Sequence, residues 1–123
     1  MATILLIDDD EQVRGLFRTA LEESGYQVLS AESGRQALAL LQQQAVDLIL
    51  ADIFMPGMDG LELIQQIRKR QPAAKIIAIS GGGRFSVESY LPVAEKLGAD
   101  VTLAKPISAR RLLDVVDQVL AVA

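Results

Sequence analysis

The sequence predicts an α/β domain in which a five-stranded parallel sheet is doubly wound by helices, and three observations carry that prediction. Apolar runs of four or five residues, too short for helices, alternate with longer segments whose apolar residues recur at helical spacing. Strict alternation of strand and helix calls for parallel crossovers, with helices on both faces of one sheet. Half of the residues are hydrophobic but only 4% are aromatic, and Val, Ile, Leu and Ala suit strands covered on both sides. At 123 residues the chain fits one domain, 1–123, with a single sizeable core.

The elements follow in order. Thr3 to Ile7 is a buried strand that runs into Asp8-Asp9-Asp10-Glu11. From Asp10 to about Ser24, Val13, Leu16, Phe17, Ala20 and Leu21 recur at helical spacing, and Gly25 supplies a left-handed stop. Tyr26 to Ser30 reads as the second strand. Ser33-Gly34-Arg35-Gln36 fits a capping box opening a helix that buries Ala37, Leu38 and Leu41. Asp47 to Ala51 is the third strand, delivering Asp52 to its end. Met55-Pro56-Gly57 then breaks regular structure within three residues.

Asp59-Gly60-Leu61-Glu62 caps a third helix, striped by Leu61, Ile64 and Ile67 and stopped before Pro72. Lys75 to Ile79 is the fourth strand, followed by the permissive run Ser80-Gly81-Gly82-Gly83. A fourth helix starts near Glu88 to Leu91, with Pro92 in its first turn and Tyr90, Val93, Ala94 and Leu97 on its apolar stripe; Gly98 ends it. Val101 to Ala104 is the fifth strand. Lys105-Pro106 precedes a fifth helix from about Ser108, striped by Leu112, Val116, Val119 and Leu120. No repeat or change of composition divides the chain, which reads as a free-standing domain or one excised from a longer protein.

Composition narrows the function. A net charge of −4 argues against direct contact with nucleic acid, which needs clustered Lys and Arg. No cysteine is present, so neither a disulfide framework nor a thiolate zinc site can form, and there is no histidine. No signal peptide or membrane span is visible, and a cytoplasmic location is expected.

Four of the five strands end in a chemically capable group at the same carboxyl edge: Asp8 and Asp9, then Asp52, Ser80 and Lys105. Taken singly each has an ordinary reading. The acidic run could favour a helix N-terminus, Ser80 could be a turn hydroxyl, and Lys105 a solvated surface lysine. Turn chemistry does not require all of them in that order on successive strand ends. Three carboxylates brought together repel one another unless a cation neutralises them, and no histidine or arginine adjoins them in sequence. Mg²⁺ suits such a set: it takes oxygen ligands from one or two carboxylates plus a phosphate, leaving another carboxylate free as a nucleophile. Lys105 and Ser80 would then supply charge and a hydrogen bond for phosphoryl oxygens.

These residues, Ile4-Leu5-Leu6-Ile7-Asp8-Asp9-Asp10, Asp52 through Gly60, Ser80 and Lys105-Pro106, together resemble the receiver domain of two-component response regulators across the whole chain. The resemblance implies a flavodoxin-like, CheY-like strand order 2-1-3-4-5. It implies that Asp52 is the phosphoacceptor, that Asp9, Asp52 and the Phe54 backbone carbonyl ligate Mg²⁺, and that Asp8 acts mostly through a metal-bound water. It further implies that Ser80 is the switch hydroxyl, with Gly81 beside it at the phosphoryl group, and that Lys105 pairs with that group before a Pro106 bond able to be cis. The donor would be a phosphohistidine on a sensor histidine kinase or histidine phosphotransfer protein, and the reader of the signal a downstream effector or output domain.

Departures from the family pattern sharpen one expectation. Thr102 stands where many receivers carry an aromatic that swings inward, and the segment from Ser80 to Gly98 is longer than usual by about one helical turn. Phosphorylation is therefore expected to reorganise Gly81 to Tyr90 more than the surface around Thr102. Two rival readings stand beside this one. Asp8-Asp9-Asp10 also satisfies the Asp-x-Asp pattern of haloacid-dehalogenase-type phosphatases, although Pro106-Ile107-Ser108-Ala109 lacks the acidic pair expected after their lysine. A receiver-like binding module that works without phosphorylation is the other.

Overall fold

A computed structural model describes residues 2–53, 60–80, 96 and 98–121. The elements are β1 (Thr3–Ile7), α1 (Glu11–Glu23), β2 (Gln27–Ala31), α2 (Gly34–Gln43), β3 (Leu48–Asp52), α3 (Gly60–Arg70), β4 (Lys75–Ser80), β5 (Val101–Ala104) and the C-terminal helix, here α4 (Ala109–Ala121). All five strands form one parallel sheet of order β2-β1-β3-β4-β5. The strand expected at Tyr26 to Ser30 lies one residue later, and Asp52 and Ser80 are the last residues of their strands rather than the first beyond them. Of the helix expected to start near Glu88 to Leu91 and to end at Gly98, Lys96 is described and is helical, and the rest lies outside the described residues, as do Phe54, Pro56 and the Gly81 to Tyr90 segment.

Alternation of side chains along each strand builds two cores, since successive residues of a strand point to opposite faces. Leu5, Ile7, Ile49, Ala51, Ile76 and Ala78 face α2 and α3, where Ala37, Leu41, Leu63, Ile64 and Ile67 close over them. Ile4, Leu6, Leu48, Leu50, Ile77 and Ile79 face the other way, against Phe17 and Leu21 of α1 and Leu112, Val115 and Val116 of α4. All five residues of β3 are buried, as the central strand of a covered sheet requires.

The helix ends are set locally. Asp10 caps α1 by accepting the Gln12 and Val13 N–H groups at 2.9 and 3.2 Å, and Gly25 follows the helix at φ 96°. Ser33 Oγ accepts the Gln36 N–H of α2, whereas Gln36 Oε1 reaches past the cap to the Glu32 N–H, one residue earlier than a strict capping box places it.

Two side chains stitch the amino edge of the sheet. Arg68 donates to the carbonyls of Pro72, Ala74 and Gly98 and to Asp100 Oδ2. The Gln71 side chain donates to the Leu41 and Gln44 carbonyls and accepts the Val46 N–H. The carboxyl edge is tight at one point: a Cβ on Gly60 would stand 2.3 Å from Ile53 Cα and O. Gly60→Ala should therefore push the start of α3 away from the residue that follows Asp52 and lower stability by about 1–3 kcal/mol. Urea denaturation checks this, and an unchanged midpoint would contradict it.

Candidate functional site at the carboxyl edge of the sheet

Strand order decides where a site can form. The chain passes from β1 to β2 on one side and then to β3 on the other, so a crevice opens beyond the carboxyl ends of β1 and β3. Both of these strands lead into acids. Asp8 directly follows β1 at 2% exposure, and Asp52 ends β3 at 5%. Among the described residues they are the only buried polar or charged side chains. A buried carboxylate is costly unless it is paired, so the surroundings have to answer for two.

Lys105 answers for both. Its Nζ donates to Asp8 Oδ2 and to Asp52 Oδ2 at 3.1 Å each. The side chain comes from the end of β5, two strands from β3 at about 4.8 Å per strand, a span suited to a four-carbon stem. Burial, the largest influence on Lys105, works to lower its pKa. The charge and hydrogen bond of Asp52, then those of Asp8, outweigh it and hold the ammonium above the ordinary lysine value. The acids thus meet with a cation already in place. One ammonium still faces three carboxylates, because Asp9, exposed, completes a group whose oxygens lie within 4.8 Å of one another.

This donor set fits a hard cation. It offers only oxygens, it carries excess negative charge, and Asp9 opens one side to solvent. Both oxygens of Asp8 are engaged, Oδ1 accepting the Asp10 N–H at 2.9 Å and Oδ2 the Lys105 ammonium. Such an acid suits contact through a water better than direct ligation. Among the described residues no hydrogen bond or ion pair holds the Asp9 carboxylate. Asp10, third in the acidic run, is occupied in capping α1 and does not join the cluster. That removes the second acid that the Asp-x-Asp phosphatase reading needs.

The remaining sequence candidates fall as follows. The Ser80 backbone ends β4 opposite Ala104, beside β3. Thr102 lies in β5, partly buried and paired with Ala78. Pro106 is exposed and its bond to Lys105 is cis. Phe54 and Gly81 are outside the described residues. One residue at the edge escapes sequence reading: Arg14, partly buried, donates from Nη1 to the Asp8 carbonyl at 2.8 Å. Its spacing from Phe17 and Leu21 places it on the inward face of α1, and that spacing is the signal that could have found it.

The fold and the edge define a class: a doubly wound α/β domain that gathers three acids and a lysine at its topological switch point, a set that could hold a metal ion. The sequence matches the response regulator receiver domain over residues 4–117. It is 34% identical to the response regulator receiver protein CpdR of Brucella abortus over 123 residues, covering all of both chains. It is 36% identical over 121 residues to the sensor kinase CckA of the same organism, covering 97% of this chain and 12% of that one. A CheY-like receiver domain from Methanospirillum hungatei superposes with a TM-score of 0.90 at 31% identity, covering 98% of this chain and 94% of the other. The chain also spans between 26% and 48% of several transcriptional regulators it matches.

The chain belongs to the response regulator receiver domain family. Its role is that of a phosphoacceptor module in two-component signalling, a signalling domain rather than a classical enzyme, and the phosphatase reading is not favoured. Among the described residues no helix is long and apolar enough to cross a membrane.

Proposed function

We propose that residues 1–123 act as one cytoplasmic receiver domain, in which Asp52 accepts a phosphoryl group from a partner's phosphohistidine. The observation that carries this reading is the pairing of Asp52, a buried carboxylate at the end of the central strand, with Lys105 at 3.1 Å. An Asp52 oxygen attacks phosphorus in line as the bond from phosphorus to the imidazole nitrogen breaks, and the leaving imidazole takes up a proton. Asp9 and Asp52 with the Phe54 carbonyl would hold Mg²⁺, with Asp8 acting through a water. The bound cation would offset charge on the transferring oxygens.

Lys105 follows the phosphoryl oxygens, and Ser80 and the Gly81 N–H donate to them, so the domain takes part in its own phosphorylation and dephosphorylation. A sensor histidine kinase or histidine phosphotransfer protein is the donor. The match to segments of a sensor kinase and of longer transcriptional regulators supports partners of those two kinds. The changed surface is read by a downstream effector or output domain.

Incubation with acetyl phosphate and Mg²⁺, followed by mass spectrometry, tests the reading. A single adduct on Asp52 is expected; turnover of phosphate esters, or no adduct, would overturn it. A second expectation concerns the cation. Mg²⁺ should raise the melting temperature by linkage, by about RT ln(1 + [L]/Kd) in free energy, and Asp9→Ala should abolish that rise. An equal rise in Asp9→Ala would refute the metal assignment.

A further inference from the structure

We propose that Arg14 is a positioning residue for the acidic pair: its guanidinium fixes the peptide between Asp8 and Asp9 and so turns the Asp9 carboxylate toward those of Asp8 and Asp52. The inference rests on the reading of Asp9 as a cation ligand. β1 pairs with both neighbours as far as Ile7, opposite Ala31 and Ala51. One residue on, the Asp8 N–H still donates to the Ala31 carbonyl at 3.1 Å. The Asp8 carbonyl lies past the last pair of the ladder, and Arg14 Nη1 takes it at 2.8 Å.

That carbonyl belongs to the planar unit joining Asp8 to Asp9. Rotating it to seek another donor also moves the Asp9 Cα and swings its side chain. Asp8 resists such movement, because its N–H and both carboxylate oxygens are bonded. The exposed Asp9 carboxylate has no partner among the described residues, so its direction depends on the two flanking peptides, one held by the Asp10 N–H on Asp8 Oδ1 and the other by Arg14. A residue six positions on in the sequence thereby governs the geometry of the most open carboxylate at the site.

The sign of the effect separates this role from two simpler ones. If Arg14 acted only as a nearby positive charge, removing it would tighten the binding of a dication. If it merely anchored α1, removing it would lower the melting temperature and leave affinity alone. A positioning role predicts weaker binding with the metal-free fold intact.

The test is calorimetric titration of Mg²⁺ into the full chain, alongside the melting temperature in EDTA and the Asp9 amide shift without metal. In Arg14→Ala the Kd for Mg²⁺ should rise roughly tenfold, as for loss of a group that orients a metal ligand. The Asp9 amide should shift in the same variant. Arg14→Lys, which can offer one donor to the same carbonyl, should recover part of the affinity. An unchanged or lower Kd in Arg14→Ala overturns the proposal; if that variant does not fold, an unchanged Kd and an unmoved Asp9 amide in Arg14→Gln do so. Wild-type binding that is lost in Asp9→Ala but intact in Arg14→Ala defeats this inference alone. Absence of Mg²⁺ binding by the wild type, or its persistence in Asp9→Ala, defeats the metal assignment and this inference with it.

Discussion

Asp52→Asn should abolish labelling by acetyl phosphate while leaving the protein folded. The amide keeps the shape of a side chain that is only 5% exposed, so packing at the end of β3 is preserved. It is not a nucleophile, and the other acids at the edge have other work: Asp9, exposed, is the proposed cation ligand. Asp8 has both oxygens engaged, and Asp10 is held by the first turn of α1. The substitution also relieves the site of one carboxylate, leaving Lys105 to Asp8 alone. The melting temperature in EDTA should therefore not fall below that of the wild type. Residual adduct on Asp8 or Asp9, found by peptide mapping, would show that the acceptor has been misassigned.

Lys105→Met should give the largest loss of stability among substitutions of the charged residues at the edge. Methionine retains much of the stem but removes the only cation bonded to the two buried carboxylates among the described residues. Removing one partner of a fully buried pair costs about 3–5 kcal/mol; with 22% of the Lys105 side chain in solvent, about 2–3 kcal/mol is expected. Mg²⁺ should restore part of it. The dependence on pH has a definite sign. Since the folded state holds the Lys105 pKa above its ordinary 10.5, its contribution is complete below that value and is lost as pH rises through the higher folded value. The difference between wild type and Lys105→Met in EDTA should stay level from neutral pH to about 10 and shrink beyond. A difference that vanished already between pH 7 and 9 would mean that the ammonium does not act on these acids.

Much of this was legible because the relevant signals are local. Strands read from short apolar runs fall within a residue of their observed bounds, since burial on both faces leaves little choice of residue type. Asp8, Asp9 and Asp52 could be brought together on paper because a parallel sheet aligns its strand ends. What sequence could not show is how polar atoms divide their bonds among partners. Asp10 stands beside two site acids yet serves its own helix, and Lys105 reaches two carboxylates across the sheet. Arg14 was hidden because its partner is a backbone carbonyl, which has no letter in the sequence.

The stitching by Arg68 bears on how such a chain can diverge. Three of its acceptors are carbonyls, which any residue type supplies, whereas the fourth, Asp100, also receives the Ile76 N–H at 2.8 Å. Substitution along the Pro72 to Ala74 turn can therefore drift without disturbing the arginine. Arg68 and Asp100 depend on each other unequally: losing Asp100 leaves Arg68 its three carbonyls but frees the Ile76 N–H near the start of β4, whereas losing Arg68 leaves Asp100 holding that N–H. Among descendants of this sequence Asp100 should therefore change less readily than Arg68, a constraint seated at the edge of the sheet away from the acids and Lys105.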